Sequence, residues 1–245
     1  MSWHKTDHQQ RKDIVLGLVV DEYIKTVTPV SSGHIARRYI RDLSPATIRN
    51  ILAELEREGL LMHPHTSAGR VPTQDGYRYY VDNLMSEIQI LKQEKVKIKS
   101  EYATQVKDLE GILEKTSQVL SDLTHYTSII SIDGGDRIFC KGVCHVVGYP
   151  EYQDLTKIRD ILQALEEKER LLDIINQEIR QKIQIYIGHE TAFANIQNCS
   201  LAISPYRTKD NARGRIAILG PTHMDYPRVV SMLDYFSRLM EEITF

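Results

Sequence analysis

Ser44-Pro45-Ala46-Thr47-Ile48-Arg49-Asn50 is the stretch that decides the fold of the first part of this chain. Serine is a favoured helix N-cap and proline fits the first helical turn, so a helix starts here. It runs to about Glu58, and Gly59 sits where a left-handed C-terminal cap belongs. Ile48, Leu52 and Leu55 recur at i, i+4 and i+7 and make one apolar stripe. Thr47, Arg49, Asn50 and Ala53 fall outside it. A helix with a packed back and a small, basic, amide-bearing N-terminal front suits a DNA major groove. Arginine can grip guanine O6/N7, asparagine can grip adenine N6/N7, and a helix N-terminus favours phosphate. An amphipathic core helix with a polar outer face is the plainer reading of the same pattern. The residues on either side decide between the two.

Upstream, residues 13–26 read as a helix with Ile14, Leu18 and Ile24 along one face and Val15 and Val19 beside them. Thr28-Pro29-Val30 breaks it, and Ser31 or Ser32 caps a short second helix through about Tyr39. Ile35 and Ala36 point inward there, Arg37 and Arg38 outward. Arg41-Asp42-Leu43 is the turn into the Ser44 helix. Three helices in this order, the third with a basic front, form a helix-turn-helix.

Downstream the period changes. Leu60-Leu61-Met62-His63 and Arg70-Val71-Pro72 can pair as short strands around the turn chemistry of Pro64-His65-Thr66-Ser67-Ala68-Gly69. A hairpin directly after a recognition helix is a wing. His65, Thr66, Ser67 and Arg70 at its tip suit phosphates or a minor groove. The expected DNA-contacting set is therefore Ser44, Thr47, Arg49 and Asn50 on the helix, with His65, Thr66, Ser67 and Arg70 on the wing. His63 and His65 have no cysteine or third ligand nearby, so no metal site is expected.

Composition is that of an ordinary globular protein: 42% hydrophobic and 26% charged over 245 residues, with a net charge of −2. The charge is uneven. Residues 1–80 hold 11 Lys and Arg against 9 Asp and Glu, and the remainder 20 against 24. That positive footprint is too mild to argue DNA binding by itself. Cys140, Cys144 and Cys199 are odd in number in a long chain, which argues against a disulfide framework. The start of the chain is polar rather than signal-like, and no apolar run approaches membrane-spanning length. A cytoplasmic location is expected.

Residues 74–91 keep helical spacing through Tyr77, Tyr80, Val81, Leu84, Ile88 and Leu91, with Thr73 as cap. From Tyr102 to Leu123 apolar residues alternate in steps of four and three, which fits a coiled-coil seam or a helix packed on the C-terminal domain. Residues 126–132 read as a strand, Asp133-Gly134-Gly135-Asp136 as a hairpin turn, and 137–140 as the returning strand. Cys140, Cys144 and His145 miss the haem-attachment spacing by one residue, and buried cysteines on a strand are the expectation. Asp154 can cap a helix through Leu165, and a second runs from Lys168 to about Gln181. Strands at 183–187, 199–204 and 215–219 and a closing helix over 226–243 complete an α+β domain. No Walker, nucleophile-elbow or zinc-protease pattern is present, so neither an enzyme nor a cofactor is expected.

Several blocks closely resemble the HrcA family of heat-inducible transcription repressors. They are the Ser44–Asn50 run already quoted, Ala53-Glu54-Leu55-Glu56, Gly59-Leu60-Leu61, Pro64-His65-Thr66-Ser67-Ala68-Gly69-Arg70-Val71-Pro72-Thr73 and Gly76-Tyr77-Arg78-Tyr79-Tyr80-Val81-Asp82. Ile185-Tyr186-Ile187-Gly188 and Gly220-Pro221-Thr222-His223-Met224-Asp225-Tyr226 extend the resemblance toward the other end. It implies a winged helix joined to a GAF-like domain, acting as a dimer on an inverted-repeat operator upstream of chaperone genes. It also implies that the GroEL chaperonin helps keep the repressor active. Two departures stand out. Position 51, usually acidic in the family, is Ile51, near the front of the helix. The dimerising domain that the family inserts in its GAF-like domain is missing, because Ile132 and Gly142 are separated only by Asp133-Gly134-Gly135-Asp136 and a few residues.

The expected architecture is thus α+β: a winged helix-turn-helix at 1–80, connecting helices at 81–124, and a trimmed GAF-like domain at 125–245. A homodimer on double-stranded DNA is expected despite the missing insertion. The candidate surfaces are the 102–123 stripe and the closing helix with Leu233, Phe236 and Leu239. The trimmed domain is expected to have the smaller stability margin. Two other classes stay open on the residues: a winged-helix regulator that senses a small molecule, and an enzyme carrying a winged-helix module.

Overall fold

The computed structural model describes residues 7–64, 69–86, 88–102, 108–135, 137–148, 155–177, 182–191 and 193–242. The chain divides into two compact units, Met1–Ser86 and Glu87–Phe245. The helices assigned from sequence to a connector at 81–124 therefore fall mostly within the second unit.

In the first unit, α1 (His8–Thr26) starts five residues earlier than the apolar pattern indicates, because Asp7 caps it by accepting from the His8 amide at 2.7 Å. Its buried face is Val15, Leu16, Val19 and Val20, so the stripe is centred one step from Ile14 and Leu18, which are only half-buried. α2 (Ser32–Arg38) is capped by Ser31 and buries Ile35 and Ala36. α3 (Pro45–Arg57) is capped by Ser44, whose Oγ accepts from the Thr47 amide at 3.1 Å. Such a cap is worth about 1 kcal/mol. Gly59, at φ +78°, ends the helix as expected.

β1 (Leu61–Met62) and β2 (Val71–Pro72) pair antiparallel as the base of the wing. Val30 and Arg70 exchange both backbone hydrogen bonds at 2.9 Å, tying the wing to the segment before α2. Gly69 makes this possible, since a Cβ there would lie 2.6 Å from the Pro29 carbonyl carbon. α4 (Gln74–Tyr79) is capped by Thr73 and passes into a π-helical turn at Tyr80–Leu84. The Tyr79 and Tyr80 hydroxyls donate to Asp13 at 2.9 Å and Asp21 at 2.7 Å, holding this segment on α1. The helix predicted to continue to residue 91 ends at Leu84. Ile88 and Leu91 lie outside any helix and are exposed.

The second unit is α+β, as the sequence indicates. A five-stranded antiparallel sheet runs in the order β4 (Ile138–Lys141), β3 (Thr127–Ile132), β7 (Arg213–Pro221), β6 (Cys199–Arg207), β5 (Gln184–Ile187). The register puts Ile129, Ala217 and Ile203 in one row and Ser128, Ile218 and Ala202 in the next, so adjacent rows face opposite sides. One face carries the apolar core: Ile129, Leu201, Ile203, Ala217 and Leu219 pack with Ile161 and Ala164 of α7 (Leu155–Glu166) and Leu171, Ile174 and Ile175 of α8 (Lys168–Ile175).

The other face lies under α6 (Leu109–Thr124) and α9 (Tyr226–Glu242), and it is rich in hydroxyls. Ser117 Oγ donates to the Ser128 carbonyl at 3.1 Å, Ser204 Oγ meets Ser237 Oγ at 2.8 Å, and Ser200 Oγ meets the Tyr226 hydroxyl at 2.8 Å. Ser121 Oγ and Ser128 Oγ are buried with no hydrogen-bond partner among the described residues.

α5 (Lys92–Tyr102) packs on α6 through Ile98, while Val96 stays exposed. Ile112, Leu113, Val119 and Leu120 of α6 are buried inside the unit, so the 102–123 stripe packs on its own domain rather than forming an open seam. Leu233 and Phe236 are fully buried and Leu239 is 6% exposed, so the closing helix offers none of them as a dimer surface. Both dimer surfaces nominated from sequence are used up by the core.

Candidate DNA interface

α3 separates its two faces along its length. Ile48, Ile51, Leu52 and Leu55 are buried, while Ser44, Pro45, Ala46, Thr47, Arg49 and Asn50 are exposed. Ile51 is only 4% exposed, so it belongs to the core and not to the front of the helix. Its spacing of i+3 from Ile48 carries that signal, because i, i+3, i+4 and i+7 make one face. The Ser44 and Thr47 hydroxyls sit 2.9 Å apart at the exposed N-terminal end of the helix. Thr47, Arg49 and Asn50 thus present a hydroxyl, a guanidinium and an amide on one exposed surface.

The C-terminal half of α3 carries Glu54 and Glu56, its C-cap is Glu58, and each of the three carboxylates meets a basic side chain from elsewhere in the chain. His8 Nε2 lies 2.8 Å from Glu54, Lys12 Nζ lies 2.5 Å from Glu58, and Arg70 grips Glu56 through Nε at 2.9 Å and Nη2 at 2.8 Å. Unpaired, these acids would repel a phosphate backbone. With Glu56 and Glu58 each meeting a cation and Glu54 hydrogen-bonded to His8, the exposed arginines Arg37, Arg41, Arg49 and Arg57 outnumber the exposed acid Asp42 on this side of the head. Sequence reasoning missed this arrangement, since His8 and Lys12 lie 46 residues from their partners.

Arg70 thereby has a place the sequence did not give it. Its guanidinium is half-buried against Glu56 and also donates to the Gly69 carbonyl at 3.3 Å, so it braces the wing to α3. His65, Thr66 and Ser67 lie outside the described residues.

Beneath this surface, Glu22 of α1 is buried and receives the Tyr39 hydroxyl, with His34 at 2.9 Å and Arg38 at 3.5 Å. The Tyr39 hydrogen bond, joined by the charges of Arg38 and His34, holds its carboxyl below the usual range against the opposing effect of burial. The tyrosine is pushed the other way by the same contact. This cluster fixes α2 against α1 and so sets the angle at which α3 is presented.

Comparison with known proteins bears on what such a head is for. The family model described as HrcA protein C terminal domain matches residues 129–230. The heat-inducible transcription repressor HrcA of Geobacter sulfurreducens is 27% identical, with 97% of this chain and 98% of the relative covered. Its namesake from Desulforamulus reducens is 29% identical, covering 94% of this chain and 95% of the relative. Over most of its length, then, the chain is similar to HrcA repressors. Its fold also matches a crystal structure of a hypothetical protein solved at 2.2 Å, with a TM-score of 0.77 at 18% identity over 97% of this chain and 98% of that one.

The Geobacter HrcA alignment spans 337 positions against a chain of 245 residues, so at least 92 positions have no counterpart here. That is the size of a missing domain, and it agrees with the short form inferred from the Ile132–Gly142 spacing. The names of these HrcA relatives describe repressors of transcription, not catalysts. Among the described residues no helix is long and apolar enough to cross a membrane.

Proposed function

We propose that this chain represses chaperone genes by binding an inverted-repeat operator as a homodimer in the cytoplasm, and that heating releases it. α3 lies in the major groove with Arg49 and Asn50 reading base edges, while Ser44 and Thr47 meet phosphate at the helix N-terminus. His65, Thr66 and Ser67 bring the wing to the adjacent backbone, with Arg70 holding the wing against α3 and reaching phosphate beside it. The observation that carries the reading is the exposed Thr47, Arg49 and Asn50 front on a helix whose acids, with that of its C-cap, are each held by a basic side chain.

Two heads at fixed spacing give the affinity a repressor needs. With the stripe of α6 and the apolar face of α9 buried, the two copies meet through other surfaces. Heat acts on the second unit. Its hydroxyl-lined sheet face gains less from burial than an apolar face would, and that supports a small stability margin. The GroEL chaperonin then refolds the released chain, so that unfolded clients competing for it keep the genes on.

The test is a gel shift on the upstream regions of the organism's own chaperone operons, with and without mild heating. Specific retardation that disappears on heating is expected. Equal binding to operator and scrambled duplex at every temperature would overturn the reading. A second reading, in which the second unit also senses a small molecule, is favoured by one feature: an arginine-lined cleft at the end of the sheet.

A further inference from the structure

At the end of the sheet, the β6–β7 hairpin places like charges face to face. Arg207 is the direct cross-strand partner of Arg213, and Pro205 is the partner of Arg215. Cross-strand partners share a face, and residues two apart on a strand share it as well. Arg207, Arg213 and Arg215 therefore project from one side, the side that carries the apolar core further along the strands. Like charges directly opposed on paired strands destabilise a sheet. Something must offset that cost or use the charge.

The hairpin is rigid where this happens. Tyr206 is buried and its hydroxyl crosses β7 to donate to the Ser131 carbonyl at 3.1 Å. Gly214 opposite leaves room for the ring, since a Cβ there would lie 2.7 Å from the Tyr206 hydroxyl oxygen. The arginines thus stand on a fixed frame around a cleft of about 430 Å3 that Asp133 and Glu241 also line.

The charges within the cleft do not balance. Arg215 reaches Asp133 only at 3.4 Å through Nη1, which also donates to the Gly214 carbonyl at 3.1 Å, and its Nε is buried with no partner among the described residues. Arg207 and Arg213 are exposed and form no ion pair among the described residues. Among the described residues lining the cleft, three guanidiniums share their side of the sheet with Asp133 alone, which is engaged at long range, while Glu241 of α9 lines the cleft from the other side.

We propose that this cleft binds a small phosphorylated compound. Guanidinium forks match the oxygens of a phosphate group in bidentate fashion, and two of them opposed across a strand pair can hold one dianion between them. Asp133 and Glu241 accept hydrogen bonds from hydroxyls on the rest of the ligand. The site goes beyond the DNA reading and stands without it.

The probe is inorganic pyrophosphate, titrated into the full chain by calorimetry and by thermal denaturation, with sodium chloride at matched ionic strength as control. The expected result is one saturable site and a rise of a few degrees in the melting temperature of the second unit. Arg207→Gln and Arg213→Gln should each weaken binding about 10-fold or more. Without pyrophosphate the same variants should melt no lower than the parent, and about 1 °C higher, because the opposed charges are relieved. Arg213→Lys, which keeps the charge and loses the fork, should fall between. Heats no larger than those of the chloride control would overturn the proposal. So would undiminished binding by both glutamine variants, or protection of this hairpin by random duplex DNA and not by pyrophosphate.

Discussion

Removing single oxygen atoms from the core of the second unit should raise the temperature at which repression is lost. Ser121 Oγ of α6 and Ser128 Oγ of β3 are fully buried and have no hydrogen-bond partner among the described residues. Leaving a buried hydroxyl unsatisfied costs about 1–3 kcal/mol. Ser→Ala removes that penalty and leaves a void of one oxygen, which returns part of the gain. A net stabilisation of about 1 kcal/mol per site remains, and for a unit of this size that is about 2–4 °C in melting temperature. Ser204→Ala supplies the opposite sign. Its hydroxyl meets Ser237 Oγ at 2.8 Å, and losing it strands a buried partner at a cost of about 1 kcal/mol or more. The assay is differential scanning calorimetry of the full chain beside operator binding across the same temperature ramp. The second unit should melt before the winged helix, and operator release should move up in Ser121→Ala and Ser128→Ala and down in Ser204→Ala. The reasoning fails if all three variants shift in one direction. It also fails if the head melts first, or if release ignores the melting temperature of the second unit.

Arg49→Ala should lose about 1–3 kcal/mol of operator binding and relax preference at one base pair, which competition gel shifts with single-pair variants will read. Arg70→Ala should instead weaken all sequences alike, because it frees both the wing and the Glu56 carboxylate, and hydrogen exchange at β1 and β2 should rise with it. Glu22→Gln should destabilise the head by about 1 kcal/mol by weakening the Tyr39 hydrogen bond, since the exposed Arg38 can be resolvated. Because the Glu22 carboxyl is depressed in the folded state, its contribution is fully present above the ordinary carboxylate range and lost as pH falls through its lowered folded value. Acid unfolding of the head should therefore be less steep in the variant, as followed by circular dichroism of residues 1–86. Sedimentation should show a dimer at micromolar concentration that persists in Leu233→Ala and Leu239→Ala if they fold, since both side chains belong to the monomer core; a 28.2 kDa monomer that still binds operator tightly would refute the two-headed mechanism.

Local chemistry made the first unit legible. Ser31, Ser44 and Thr73 cap helices in the structure as their types and neighbours indicate, and Gly59 takes the left-handed turn, because caps act over three or four residues. The strands and hairpin turn of the second unit were legible for the same reason. Periodicity could say that Leu233, Phe236 and Leu239 share an apolar face, but it could not say what covers that face. The sheet of its own unit does, so a surface expected between copies is a core within one. Tertiary structure alone brought His8, Lys12 and Arg70 to the acids of α3 and its C-cap, set the opposed arginines at the end of the sheet, and left two serine hydroxyls without partners among the described residues. The pairings of His8 and Lys12 join residues far apart in sequence, and the opposed arginines depend on the exact register of one hairpin; hydrophobic pattern and cap chemistry carry no information on either.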